Sequence, residues 1–220
     1  KNENGEYEFD GRFNMGVVSL NLPQIGILAE GSEEKFFQIL EKRLQLCYKA
    51  LMLRYDLLKD VSSDVSPIHW QYGAIARLKK GEKIYPLLQN GYATISLGYI
   101  GVYEATKLIT GASHTDKEGH AFAAKLMHRL RSAVDEWKAQ TGLGFALYGT
   151  PAESLTNRFA SIDRARFGEI KDITDKGYYT NSYHVDVREP ITVFDKFRFE
   201  SEFQEISTGG CISYAEIPNM

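Results

Sequence analysis

Apolar positions along the chain follow two alternating patterns. Short apolar runs at 15–22 and 143–149 are typical of buried strands. The segment 89–101 is expected to pass from a turn into a strand and then into a glycine-spaced loop. After Ser32, which suits a helix N-cap and precedes Glu33 and Glu34, apolar residues recur at steps of three and four. This spacing predicts a long helix with one buried stripe, formed by Phe36, Phe37, Leu40, Leu44, Cys47, Leu51 and Leu58.

Two further helices are predicted before the third strand. A short one runs from Glu104 to Ile109 and is closed by Gly111, and a long one covers 115–140 and ends at Gly142. The long helix has an apolar stripe of Phe122, Leu126, Leu130, Ala133 and Trp137. Alternation of strands with long helices predicts an α/β fold in which crossover helices cover the sheet.

Two boundaries complete the predicted pattern. Pro23 is expected to close the first strand, and the region from Tyr178 onward is expected to be strand-rich and irregular. No internal repeat interrupts the chain.

Composition, charge and the length of the apolar runs argue against some classes of function. The 220 residues are 43% hydrophobic and 25% charged, which fits an ordinary globular domain or part of a larger one. The net charge of -3 and the scattered Lys and Arg residues give no basic stripe, so nucleic acid is not an expected partner. The apolar runs are too short to cross a bilayer and the first residues do not form a signal peptide, so no membrane partner and a cytoplasmic location are expected.

The two cysteines do not suggest a metal site. Cys47 and Cys211 are far apart, without CxxC spacing or a histidine at a zinc-ligand interval. Cys47 lies on a helix stripe and is predicted to be a core thiol. The chain starts at Lys1 without Met and ends just after a strand-like run, which we interpret as cuts through a longer polypeptide, although tag removal would also explain the start.

The strongest local signal for ligand binding follows the third predicted strand. Gly149 is followed by a predicted helix start at Thr150-Pro151, where free backbone N–H groups of Ala152, Glu153 and Ser154 could receive a phosphate. Thr150 and Glu153 also have the spacing of a capping box, which would satisfy those donors internally. Both interpretations remain open from the residues alone.

Weaker signals come from glycine and histidine. The Gly98-Tyr99-Ile100-Gly101 segment could bring backbone close to a ligand, although a packing or turn role explains it more simply. His184, with Asp186 nearby, is predicted to be a hydrogen-bonded structural histidine, and His114 is expected in a loop or on a helix surface.

Four segments in order resemble the anaerobic (class III) ribonucleoside triphosphate reductases, a family of glycyl-radical enzymes. They are GRFNMGVVSLNLP at 11–23, SLGYIG at 96–101, YGTPAESLTNRF at 148–159 and GYYTNSYHV at 177–185. The resemblance implies an α/β fold, part (roughly the second half) of a ten-stranded glycyl-radical-enzyme barrel. Residues 1–220 would then be a fragment of a single catalytic barrel domain, without the thiyl-cysteine loop, the radical glycine, the zinc site or the N-terminal nucleotide-sensing cone.

The resemblance also implies a chemistry. Such enzymes reduce ribonucleoside triphosphates to 2'-deoxyribonucleotides by thiyl and glycyl radicals, with formate as the reductant. The radical is generated by a SAM-dependent iron-sulfur activase, a radical-SAM activating protein. A structural zinc, allosteric ATP or dNTP and a homodimer partner belong to the complete enzyme. The fragment alone is expected to be inactive.

The family's site residues map onto this sequence at matching positions. Asn14 corresponds to an active-site asparagine near the ribose hydroxyls. Its amide can donate and accept hydrogen bonds but cannot act as a base at neutral pH. Thr150, Ala152, Glu153 and Ser154 correspond to a phosphate-binding helix start, and Gly98 and Tyr99 are expected to contact substrate.

Two other functions are compatible with these features. The chain could belong to another glycyl-radical enzyme, of the formate-lyase or dehydratase type, which would share the barrel but not the Asn14 segment. It could also be a non-catalytic nucleotide-binding α/β module.

Overall fold

A three-stranded parallel sheet forms the centre of the molecule. The computed structural model describes residues 12–149 and 152–215, apart from the side chain of Glu153. Within these residues the sheet has the order β1-β2-β3, with β1 at Asn14–Asn21, β2 at Thr94–Ile100 and β3 at Gly144–Tyr148. All three strands run the same way, so each connection must return the chain from one end of the sheet to the other.

Helices supply these crossovers. The described residues form α1 (Leu22–Ala29), α2 (Glu33–Leu58), α3 (Pro67–Trp70), α4 (Val102–Thr110), α5 (Lys117–Thr141), α6 (Glu153–Phe167) and α7 (Val193–Ile206). Two short 3-10 helices lie at Ser63–Val65 and Tyr85–Leu88. The helices α1 and α2 lie between β1 and β2, and α4 and α5 lie between β2 and β3, which confirms the α/β class.

The two long helices form as predicted. The side chain of Ser32 accepts a hydrogen bond from the Lys35 N–H at the start of α2, and Gly142 ends α5 in the left-handed conformation. Their apolar stripes meet over the sheet, where the ring centroids of Phe36 and Phe122 are 5.2 Å apart. Cys47 is buried on the same stripe, confirming that it is a core thiol.

The predicted end of the first strand before Pro23 is confirmed to within one residue, because β1 ends at Asn21. The helix that follows was not predicted: Pro23 lies in the first turn of α1, where its missing N–H costs no hydrogen bond. The Asn21 side chain caps this helix by accepting a hydrogen bond from the Gln24 N–H at 3.1 Å.

The strand-rich prediction for the region after Tyr178 is wrong. Among the described residues from there to 215 the regular element is α7, which is capped by the Thr192 hydroxyl. Backbone N–H groups in the preceding loop bind buried carboxylates: Thr180 donates to Glu104 at 2.7 Å and Val185 donates to Glu200 at 3.1 Å. The same loop forms an isolated antiparallel bridge between Asn181 and Ile100, and the Thr180 and Val185 N–H groups are paired by side chains and not by a strand.

The two faces of the sheet differ in chemistry. Alternation along the strands directs Leu20, Leu97 and Leu147 towards α2 and α5. The side chains on the opposite face are mostly small or polar, and its larger ones are Val17, Ile100 and Tyr148. We call it the small-residue face and define it by Asn14, Ser19, Ser96, Gly98, Ala146 and Tyr148.

Candidate functional site

Asn14 is held rigidly at the beginning of β1. Its side-chain N–H donates to the buried Ser96 hydroxyl at 2.7 Å, and its Oδ1 accepts from the Gly16 N–H at 2.7 Å. A primary amide has a second N–H and a second lone pair. Because Asn14 is exposed, these remaining groups are available to a ligand on the small-residue face.

Gly98 leaves room for its neighbours on this face. A Cβ at Gly98 would lie 2.4 Å from the Ser19 hydroxyl oxygen and 3.0 Å from a Val17 methyl carbon. The missing side chain therefore allows β1 and β2 to pack closely. Substrate contact at Gly98 stays a prediction.

The side chain of Tyr99 lies on the helix-covered side of the sheet. Its hydroxyl is buried at 2.7 Å from the Ser207 hydroxyl, and this burial raises the pKa of the phenol well above its usual range. The ring lies beneath the exit of β3, where a Cβ on Gly149 would be 2.9 Å from the Tyr99 hydroxyl oxygen. Tyr99 thereby supports the path of the chain towards α6, and its contact with substrate stays a prediction.

The helix α6 begins two residues later than the predicted helix opening at Pro151. Its first helical residue is Glu153 and its N-cap residue is Ala152, which has no side chain able to cap the helix. Thr150, and with it the proposed capping box, lies outside the described residues.

The first turn of α6 presents free donors. Leu155 and Thr156 donate their N–H groups to the Ala152 carbonyl, whereas the Ser154 N–H has no hydrogen-bond partner in the part of the chain that the structure describes. Both Ser154 and Arg158 are exposed. A helix start with a free N–H and a nearby cation suits an anion.

Asn14 and the start of α6 lie at opposite edges of the sheet. Asn14 is in register with Thr94 and Gly144, whereas α6 follows Tyr148, four residues further along β3. At about 3.3 Å per residue this is a separation of about 13 Å along the strand direction. Any ligand that contacts both must lie lengthwise across the small-residue face.

Several polar residues are buried and hydrogen-bonded, which the sequence predicted only for His184. His114 lies in a loop, between α4 and α5, as predicted, but it is fully buried and not at the surface, and its Nε2 donates to the Tyr183 carbonyl at 2.9 Å. His184 is a buried, hydrogen-bonded histidine, with Nδ1 3.1 Å from a Glu200 oxygen. Asp186 instead binds Lys176, and Asp163 accepts three hydrogen bonds. Sequence spacing gives no signal for pairs formed between distant segments.

The described residues offer neither a cluster of metal ligands nor a membrane-spanning helix. No group of three or more His, Cys, Asp and Glu side chains there is arranged to hold a metal ion. None of the described helices combines the length and the apolar character needed to cross a bilayer.

Comparisons with known proteins identify one family. The family profile described as anaerobic ribonucleoside-triphosphate reductase matches residues 1–220. The anaerobic ribonucleoside-triphosphate reductase of Escherichia coli (strain K12) is 45% identical over 223 aligned residues, which cover 100% of this chain and 31% of that protein. The enzyme of the same description from Enterobacteria phage T4 is 42% identical, with 100% of this chain and 36% of that protein covered. The chain thus spans about a third of the length of the curated relatives it matches.

Solved structures agree on the fold. The anaerobic ribonucleotide reductase from Thermotoga maritima with MES in the active site superimposes with a TM-score of 0.72 at 23% identity, covering 100% of this chain and 35% of that chain. The structure of the Thermotoga maritima protein in complex with dATP and CTP gives a TM-score of 0.69 at 23% identity and covers 93% of this chain and 34% of that chain.

Proposed function

Because the chain belongs to the anaerobic ribonucleoside-triphosphate reductase family, we propose that the longer protein containing it reduces ribonucleoside triphosphates and that this chain supplies part of the substrate site. Its three parallel strands form part of the family's ten-stranded α/β barrel, with the small-residue face towards the barrel interior. Small side chains on that face leave space for a substrate.

The observation that carries the proposal is the fixed position of Asn14. Its amide is oriented by Ser96 and Gly16 and still has one N–H and one lone pair to offer. Such preorganised donors stabilise charge that develops during a reaction without reorganising at that moment. We assign Asn14 to the ribose hydroxyls of the substrate, where it holds and orients but does not remove a proton.

The start of α6 binds the phosphates in this proposal. Ser154 and Arg158 are exposed at the helix end that favours anions, and the Ser154 N–H has no hydrogen-bond partner among the described residues. The N–H groups of Ala152 and Glu153 and the segment at Thr150 complete the contact. The start of α6 lies at least about 13 Å beyond Asn14 along the strand direction, so a ligand that contacts both must be elongated, as a nucleoside triphosphate is.

Other parts of the longer protein supply the remaining chemistry. Cys47 is buried among apolar residues, and the described residues place no group of metal-ligating side chains around Cys211, so we assign neither thiol to the zinc site or to the thiyl radical. We assign the radical glycine, the structural zinc, formate, the allosteric ATP or dNTP sites, the homodimer contact and the docking of the SAM-dependent activase to segments outside this chain.

Steady-state kinetics of the activated full-length protein test the proposal. Asn14→Ala is expected to lower kcat by about 100-fold with little change in KM, because the lost hydrogen bonds act mainly in the transition state. Ser154→Pro removes one N–H donor and is expected to raise the KM for the nucleotide several-fold.

The matched control is Ser154→Ala, which removes only the hydroxyl and keeps the backbone N–H that the proposal assigns to the phosphate, so the KM should stay within about twofold. An unchanged kcat for Asn14→Ala would remove Asn14 from the active site. An unchanged KM for a folded Ser154→Pro protein would remove the phosphate site.

A further inference from the structure

The helix α6 is attached to the rest of the molecule by a small apolar cluster and by buried polar contacts. The cluster has a buried core of Ile100, Ala160, Ile173 and Tyr179, and Leu155 and Phe159 of α6 pack against it while partly buried. The other buried residues of α6 are polar, Thr156 and Asp163. Because the apolar contact is small, the buried polar contacts contribute to the orientation of α6.

Asp163 provides the most extensive of these contacts. Its carboxylate is fully buried and accepts hydrogen bonds from Asn21 Nδ2 at 2.8 Å, from Gln24 Nε2 at 2.6 Å and from the Tyr179 hydroxyl at 2.9 Å. The three donors lie at the end of β1, in the first turn of α1 and in the loop after α6. One side chain thus joins α6 to three other segments.

The network requires a group that only accepts hydrogen bonds at position 163. The Asn21 oxygen already accepts from the Gln24 N–H, and the Gln24 side-chain oxygen accepts from Arg43 at 3.2 Å. Neither amide can therefore turn its oxygen towards residue 163 without losing a partner. Both oxygens of Asp163 face donors, a condition that a carboxylate meets and an amide does not.

We propose that Asp163 is a positioning residue for phosphate binding, holding α6 so that its first turn faces the small-residue face. The inference rests on the proposed function of that first turn. Asp163 lies ten residues from Glu153, which is about 15 Å along the helix axis. A tilt of about 4° at Asp163 would displace the first turn by about 1 Å, enough to disturb a bound phosphate.

A set of variants in the activated full-length protein tests this positioning. Asp163→Asn keeps the size of the side chain but turns one N–H donor towards Gln24 or Asn21. We expect the KM for the ribonucleoside triphosphate to rise about fivefold to tenfold with kcat nearly unchanged. Gln24→Glu alone places a second carboxylate against Asp163 and is expected to raise the KM as well.

The double variant Asp163→Asn with Gln24→Glu is the decisive measurement. The amide introduced at position 163 can donate its N–H to the carboxylate introduced at position 24, and its oxygen can accept from Asn21 and Tyr179. The new carboxylate at position 24 can still accept from Arg43. The KM is therefore expected to return to within about twofold of the unmodified protein, because the two changes restore each other's hydrogen bonds. Failure of this rescue would overturn the inference.

Leu130→Ala is the control for general destabilisation. Leu130 is fully buried on α5, away from α6, so this variant should lower thermal stability while leaving the KM unchanged. If Asp163→Asn does not fold, Tyr179→Phe removes one donor only, and an unchanged KM in that variant would overturn the inference.

The two proposals fail in distinguishable ways. If Ser154→Pro raises the KM but folded Asp163→Asn does not, positioning by Asp163 is wrong and the phosphate site stands. If Ser154→Pro leaves the KM unchanged, the proposed function of the α6 start fails first, and positioning by Asp163 fails with it.

Discussion

The sheet with its two long helices and the region from α6 to α7 are held together differently. The first has a continuous apolar core, in which α2 and α5 pack on Leu97 and Leu147. The second buries charges: Lys176 contacts Glu104 and Asp186 at 2.6 Å each, and His184 contacts Glu200. Apolar packing tolerates small shifts, whereas buried charges are costly unless each is paired. The second region should therefore respond more sharply to single polar substitutions.

The largest expected effect is that of Lys176→Met. This change leaves the buried carboxylate of Glu104 without a cation, and removal of one partner from a buried pair costs on the order of 4 kcal/mol. The free energy of unfolding, measured by urea denaturation of the full-length protein, is expected to fall by about this amount. Lys125→Met removes an exposed pair with Glu33 and should cost less than about 1 kcal/mol. Equal effects of the two variants would contradict the comparison.

The contribution of the Lys176 ion pairs to stability should also depend on pH, which gives a second test of the same network. Burial alone would lower the pKa of the Lys176 ammonium, but the facing carboxylates of Glu104 and Asp186 outweigh it and raise that pKa. A raised lysine pKa stabilises the fold below the unfolded value of about 10.4, and this stabilisation is lost as the pH rises through the folded value. The difference in stability between Lys176→Met and the unmodified protein should therefore be constant near neutral pH and shrink above about pH 10.4.

A smaller effect is expected at Gly149, where the two regions meet. A Cβ there would lie 2.9 Å from a ring carbon of Tyr183 and 2.9 Å from the Tyr99 hydroxyl oxygen. Gly149→Ala should cost about 2 kcal/mol through overpacking, measured as a lower thermal midpoint. Gly142→Asn is the control, since no atom lies within 4 Å of a Cβ at that helix end and Asn tolerates the left-handed conformation. A control that destabilises as much as Gly149→Ala would show that backbone conformation, and not packing, is responsible.

The smallest expected effect is a difference in alkylation rate between the two cysteine thiols. Burial raises the pKa of Cys47 to about 11, whereas Cys211 is half-buried at the edge of β3. At pH 8 only about one Cys47 in a thousand would be a thiolate, so an alkylating reagent should modify Cys211 first and Cys47 only after unfolding. Mass spectrometry of peptides from the folded protein gives the order directly. Modification of Cys47 at the rate of Cys211 would contradict the packed core.

The sequence alone predicted the apolar region well. The stripes of α2 and α5 and the runs of β1 to β3 follow local periodicities, because each element buries one face whatever its partner is. The resemblance also identified the family correctly. Asn14, Gly98 and the start of α6 came from matched motifs, and the structure adds the distances between them.

In the polar region from α6 to α7, the hydrogen-bond and ion-pair partners could be known only from the tertiary structure. Asn21 and Asp163 are 142 residues apart, and Glu104 and Lys176 are 72 apart, so no spacing rule could pair them. The helix α1 was hidden because Pro23 suits a strand end and a helix start equally well. The periodicity of apolar residues along the sequence indicates which side chains are buried away from water. Which donor meets which acceptor depends on how distant segments come together, and that is determined only when the whole chain packs.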